Sequence, residues 1–287
     1  MKNQVLLFYK YVDISDPASE REEQIYLCNE LGLLGRTIIG TEGINATLSG
    51  TVEATNEYMK LMDSHPLFSG IEYKIDLVDK VPFRKLSVKV RDEIVTLGVK
   101  ADPKKTATHL SPEEFNAMIE DPDVVLFDAR NNYESAIGRF RNAITPDISL
   151  FKELPDELSN YEELKNKKVV TYCTGGIRCE KASALLKEKG FRDVYQLDGG
   201  IVTYAKAFPD GAFEGECFVF DERMKVGFKE SPELLGSCLE CSTPTNDYLN
   251  CANKSCNKLV LVCDDCKVNM HTCSGDCSLK LSLSLTT

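Results

Sequence analysis

The chain has 287 residues, 43% of them hydrophobic and 28% charged, with a formal net charge of −11 at pH 7. That length exceeds what one small core serves and implies two or three domains, while the acidic balance excludes a general nucleic-acid coat protein. No apolar run approaches the roughly 18–20 residues of a membrane helix, and Met1–Lys10 lacks the apolar length and small-residue cleavage site of a signal peptide, so a cytoplasmic protein without membrane contact is expected. In that reducing compartment its twelve cysteines indicate metal binding or catalysis rather than disulfides.

In residues 1–104, Val5-Leu-Leu-Phe-Tyr9 reads as a first strand and Ala18–Leu34 as an amphipathic helix with Ile25, Leu27, Cys28 and Leu31 inward. Gly35–Gly40 and Gly43–Ser49 form a hairpin around Thr41-Glu42, and a helix is expected from Val52 to Ser64. Glu72–Val78 and Leu86–Val90 supply two further strands. This β-α-β-β-α-β order resembles a ferredoxin-like sandwich, a fold of many RNA-binding and acylphosphatase-type domains that fixes no function. Thr41-Glu-Gly-Ile-Asn-Ala46 is more polar than a hairpin requires, although Glu42 and Asn45 are first read as turn residues. His65, before Pro66, reads as a cap or surface residue. Between Lys80 and Lys105 eight basic residues (Lys80, Arg84, Lys85, Lys89, Arg91, Lys100, Lys104, Lys105) face three acidic ones (Asp92, Glu93, Asp102). Such a patch either holds a phosphate backbone or is a solvated strand face and linker; Lys80, Arg84, Lys85, Lys89 and Arg91 are the candidate RNA contacts.

In residues 105–212, His109 reads as a surface residue at the domain start. Ser111, Pro112 and Glu114 spell a helix start with cap, first-turn proline and capping box. Short apolar strands at Val124–Phe127, Val169–Tyr172 and Val194–Leu197 alternate with helical stretches, the rhythm of a parallel sheet. The ligand of such a sheet sits beyond the carboxyl ends of its strands. There the sequence places Cys173-Thr-Gly-Gly-Ile-Arg-Cys179, followed by a helix over Glu180–Gly190 with Ala182, Leu185 and Leu186 on one face. Gly175 and Gly176 let the loop curl so that amides point at the thiol. Those amides, the helix N-terminus and Arg178 favour a thiolate. Only four residues separate Cys173 from Arg178, one fewer than a loop that encircles phosphate, so the cradle suits a smaller group such as sulfur carried on sulfur. Thr174 and Ile177 complete the loop; Asp128 and Arg130, at another strand's end, are expected to support it. Cys179 is either a resolving thiol or a small apolar residue facing the helix core.

In residues 213–287, Phe213–Arg223 reads as a strand-like bridge. Then Cys238-x2-Cys241, Cys251-x4-Cys256, Cys263-x2-Cys266 and Cys273-x3-Cys277 place four pairs at chelating spacing within forty residues. Two structural all-thiolate zinc sites are expected, because so small a module cannot bury enough apolar surface to fold unaided. First-with-third and second-with-fourth pairing and sequential pairing are both open, and His271 is a possible replacement ligand.

The loop at Cys173, the upstream Val124-Val-Leu-Phe-Asp-Ala-Arg130 with Glu134, Gly138 and Ala143, and Leu197-Asp-Gly-Gly-Ile201 together resemble the rhodanese-like family, with Arg139 where that family often has histidine. Adding Glu42-Gly-Ile-Asn45, Pro82-Phe83, Glu93-Ile-Val95, Cys217-Phe-Val-Phe-Asp221 and the paired cysteines, the whole chain resembles the rhodanese-containing tRNA uridine hydroxylases. The resemblance implies oxygen-dependent conversion of a wobble uridine to 5-hydroxyuridine, with tRNA bound at its anticodon and molecular oxygen as co-substrate. Cys173 would attack the uracil or first be oxidised, with Arg178 stabilising charge. No Gly-x-Gly-x-x-Gly run suggests a nucleotide cofactor. A persulfide-based sulfurtransferase and a non-catalytic RNA- or protein-binding scaffold are the alternatives.

Overall fold

The structure, a computed structural model, describes residues 2–284. Its first unit runs β1 (Asn3–Tyr11), α1 (Pro17–Glu30), β2 (Leu34–Gly40), β3 (Gly43–Thr51), α2 (Val52–Ser64), β4 (Lys74–Val78) and β5 (Leu86–Val90). Asp16 caps α1, its carboxylate accepting from the amides of Ala18 and Ser19. The helix ends at Glu30, short of the expected Leu34. Gly32 adopts φ +66, and the amides of Gly32 and Leu33 close back on the carbonyls of Asn29 and Cys28. That pattern stops a helix and releases the chain into β2.

The sheet order is β4-β1-β3-β2-β5; the first four strands pair antiparallel and β5 adds parallel to β2. This is the expected ferredoxin-like sandwich with one extra edge strand. Side chains alternate across it. Leu6, Phe8, Ile39, Ile44, Ala46 and Leu48 face the helices, where they pack with Cys28, Tyr58 and Met62. Leu7, Tyr9, Ile38 and Thr47 occupy the opposite face, which this fold commonly leaves to solvent. Here it is covered.

The cover is the second unit: β6 (Thr108–Leu110), α3 (Pro112–Met118), β7 (Val124–Asp128), α4 (Asn132–Ser135), β8 (Gly138–Phe140), α5 (Leu154–Glu157), β9 (Lys168–Tyr172), α6 (Ile177–Glu188), β10 (Asp193–Leu197) and α7 (Gly200–Ala207). The capping box of α3 forms as read from Ser111 and Glu114. Strands order β6-β10-β9-β7, all parallel. Both sheet faces are buried, one against Ala182, Leu185 and Leu186 of α6, the other against Phe115, Ile201 and Tyr204, which is why these strands read as near-continuous apolar runs.

Beyond α7, β11 (Phe213–Gly215) pairs antiparallel with β8, and β12 (Cys217–Phe218) pairs with β13 (Lys225–Val226). Phe213 and Cys217 lie in the same core as Phe140 and Tyr204, so this stretch is a wall of the second unit as well as a bridge out of it. The cysteine-rich tail holds one hairpin, β14 (Tyr248–Asn250) with β15 (Leu259–Leu261), then α8 (Asp264–Lys267) and α9 (Gly275–Ser284). No described helix is long and apolar enough to cross a membrane.

Candidate active site

The loop after β9 forms as its glycines and arginine require. Gly176 takes φ +100 and α6 begins at Ile177, not Glu180, so Arg178 and Cys179 belong to the helix's first turn. The Gly176 amide donates to Cys173 Sγ at 3.1 Å. Burial opposes ionisation of this thiol, yet the Cys179 thiol, the Arg178 guanidinium and the amides of Arg178 and Cys179 together hold it well below the ordinary thiol range. Elsewhere in the chain burial prevails: it alone pushes Cys28 up to about 12, and it outweighs the nearby Arg130 to push Cys217 up to about 12. All three thiols are fully buried, so the surroundings and not the burial favour the thiolate at Cys173. Cys179 is pushed the other way, by burial and by the negative charge of Cys173 beside it. It packs in the same core cluster as Cys173.

Three partners fix the loop. Glu134 of α4, fully buried, receives both guanidinium nitrogens of Arg178 at 2.5 and 2.7 Å; Thr174 receives a third contact at 3.4 Å. Ile201 and Val202 donate to the carbonyls of Cys173 and Thr174 at 2.9 and 3.1 Å. Gly200 comes so close that an added Cβ would sit 2.5 Å from the Cys173 carbonyl, which gives the Leu197-Asp-Gly-Gly-Ile201 segment a physical reason. Asp128 and Arg130 are fully buried and grip each other at 2.6 Å, with Arg130 also reaching the Gly138 carbonyl. They support the loop through the strand beneath it, where Ala129 donates to the Tyr172 carbonyl.

The third partner comes from the first unit. Leu7 and Tyr9 of β1 lie over Gly175 and Gly176, within 2.8–2.9 Å of where a Cβ would stand on each. The Tyr9 hydroxyl donates to Glu180 at 2.8 Å, and Tyr11 to the Ile177 carbonyl at 3.4 Å. Lys181, 2% exposed, bridges Glu42 and Glu93 at 2.8 and 2.7 Å. Glu42 also accepts from the Ile94 amide, and Asn45 donates to the Ile94 carbonyl. The polar turn Glu42–Asn45 is thus more than a hairpin end; it latches one unit to the helix that starts at the nucleophile. His109 is half exposed as expected, but its ring nitrogen meets Glu180 at 3.0 Å, and that contact raises its pKa.

Between the two units lies a cavity of about 490 Å3, inside the roughly 300–1,000 Å3 range of small-ligand sites. Cys173, Thr174, Gly175, Ile177 and Arg178 line it, as do Asn45 and Phe220. The sequence places Cys173 on a tight loop between a strand's end and a helix; the structure puts that loop against the cavity and leaves none of the Cys173 surface exposed. Cations in the wall are Arg36, Lys74, Arg178, Lys206 and Arg223. The candidate RNA contacts Lys80, Arg84, Lys85, Lys89 and Arg91 are all exposed and stand outside that wall. Arg84 pairs with Glu222 at 2.7 Å, while the register sets Lys89 beside Ile38 on the cavity-facing side of the sheet.

In the tail, Cys238, Cys241, Cys263 and Cys266 converge, as do Cys251, Cys256, Cys273 and Cys277, each set within 4.8 Å. The pairing is first with third and second with fourth. Sulfur pairs stand 3.6 Å apart (Cys241–Cys263, Cys256–Cys273) and 3.7 Å apart (Cys273–Cys277), close to the edge of about 3.8 Å set by tetrahedral bonds of about 2.3 Å. Each set can hold a metal ion, and His271 belongs to neither. A third group, Glu20, Glu23 and His65, differs: His65 Nδ1 accepts from the Leu67 amide, and only Nε2 faces the carboxylates, at 3.8 Å.

Residues 3–94 match the UPF0176 acylphosphatase-like domain, 111–207 the rhodanese-like domain and 214–278 the rhodanase C-terminal domain. The chain is 46% identical to the tRNA uridine(34) hydroxylase of Cytophaga hutchinsonii, covering 96% of this chain and 89% of that one. It belongs to the tRNA uridine(34) hydroxylase family. Relatives of the same name from Bacillus pumilus (44% identical, 95% of this chain, 87% of that one) and Corynebacterium urealyticum (42%, 96% and 97%) agree over nearly full length. Within this family architecture the cover over the nucleophile was the least visible part from sequence. One signal was present: Val5–Tyr9 is apolar at every position rather than every second one, the mark of a strand buried on both faces.

Proposed function

We infer that the chain is an enzyme that hydroxylates uridine 34 of tRNA, acting through Cys173. The observation that carries the chemistry is a buried sulfur held as thiolate by the Gly176 amide and Arg178 at the end of an interdomain cavity. Position 34 lies in the anticodon loop, where an unpaired base can leave its stack and enter a pocket. Cys173 then adds to uracil C6, forming a C–S bond and making C5 nucleophilic; C5 takes one oxygen atom, loses its proton, and the C6–S bond breaks to regenerate the thiolate. With molecular oxygen as the source, the second oxygen atom leaves as water, and an external donor supplies two electrons and two protons. Arg178 and the loop amides stabilise the sulfur charge.

This reading divides the chain into a ferredoxin-like unit (1–104), a rhodanese-like catalytic unit (105–212) and a linker with metal module (213–287). Each four-cysteine set takes a zinc ion, whose role is to fold the tail, because all four positions belong to protein. The exposed cations Lys80, Arg84, Lys85, Lys89 and Arg91 contact the anticodon arm, and the protein works in the cytoplasm. The test is mass spectrometry of tRNA nucleosides from cells carrying Cys173→Ser in place of the wild-type chain. Loss of 5-hydroxyuridine at position 34 is expected; its persistence overturns the assignment.

A further inference from the structure

The segment Cys217-Phe-Val-Phe-Asp221 has no part in the chemistry so far, and its side chains divide by position. Cys217 is fully buried and Phe218 is 4% exposed, whereas Phe220 is 44% exposed. Phe218 meets Tyr133, Phe220 and Tyr248 edge-on at 5.2, 5.1 and 5.4 Å. Asp221 grips Arg223 at 2.7 Å, and Arg223 reaches across to Asp76 of β4. The backbone is therefore anchored on both sides of Phe220, and the ring stands in the cavity wall that also contains Cys173. The Arg178 guanidinium carbon lies 5.8 Å from its centroid. Arg178 also reaches Thr174, the residue after Cys173, at 3.4 Å, so ring and nucleophile loop are joined through one residue.

A rigid phenyl ring open to a cavity, with a guanidinium at one side, is a surface for a flat unsaturated ring. Extruded bases are held by such stacking. We propose that Phe220 is the stacking platform for the uracil of position 34, holding it while Cys173 reacts. This rests on the function inferred above.

The test is a double-mutant cycle on the full-length, metal-loaded protein. tRNA with uridine at position 34, or with an abasic nucleotide there, is titrated against wild type, Phe220→Ala, Phe220→Leu and Phe220→Tyr. Phe220→Ala is expected to weaken binding of the uridine tRNA by about 5- to 100-fold and to leave the abasic tRNA unchanged. Leucine, which keeps apolar area but no π face, behaves as alanine does; tyrosine retains wild-type binding. Equal weakening toward both tRNAs, or none toward either, overturns the proposal. Hydroxylation of the uridine tRNA by wild type separates the two inferences: an active wild type with no coupling between Phe220 and the base removes the platform alone, and an inactive wild type removes the function on which it rests.

Discussion

Nine of the twelve thiols stand in two contrasting settings. At the loop, one sulfur faces a cationic side chain and several amides and adjoins a cavity. In the tail, eight sulfurs face one another in two sets of four. A lone thiolate with a cation beside it retains an electron pair for chemistry; four thiolates drawn together demand a cation and leave it no open position. Under the function proposed above, the same element serves reaction in one place and folding in the other. What decides is the charge each site supplies for itself.

The largest expected difference comes from exchanging sulfur for oxygen in each setting. Cys173→Ser abolishes hydroxylation while thermal unfolding stays that of wild type. Cys263→Ser, or a strong chelator, removes a metal site whose binding contributes about 10–16 kcal/mol in comparable small modules. The tail then becomes protease-sensitive while residues 2–212 stay resistant, as limited proteolysis with peptide mapping reads directly. Protection of the tail in chelator would break the comparison.

Next in size is the buried pair that supplies the loop's charge. Arg178→Ala leaves the Glu134 carboxylate buried without its partner, a loss of about 3–5 kcal/mol measurable by urea unfolding. It also removes a cause of the lowered Cys173 pKa, so the thiolate titrates at higher pH. Smaller again is the latch. Lys181→Met removes two charged contacts between the units; at about 1.5–3 kcal/mol for a charged hydrogen bond, Cys173 alkylates about tenfold faster or more. An unchanged rate contradicts the view that the first unit covers the sulfur.

How legible this was depended on sequence distance. The loop announced itself because Cys173, Gly175, Gly176 and Arg178 are neighbours, and a strand before them and a helix after them fix their geometry. The metal sets were legible as pairs, since each pair spans a few residues; the choice of which pairs join needed the fold. The boundaries of α1 and α6 slipped because Gly32 and Gly176 act through positive φ, which composition does not display. Least legible were Leu7, Tyr9 and Glu42, whose partners in the second unit lie more than 130 residues away. Glu42 looked like a turn residue because its buried counter-ion, Lys181, reads in isolation as an exposed helix lysine.

The central claim is that Cys173 is ionised where Cys28 and Cys217, equally buried, are not. Its alkylation rate, followed by mass spectrometry of the loop peptide as pH is lowered, tests this most directly. A group whose pKa is depressed in the folded protein stays charged above that value and loses its charge only as pH falls through it. Reactivity should therefore hold level through neutral pH and fall only in acid. A half-maximal rate near the ordinary thiol value of about 8.5 would contradict the account.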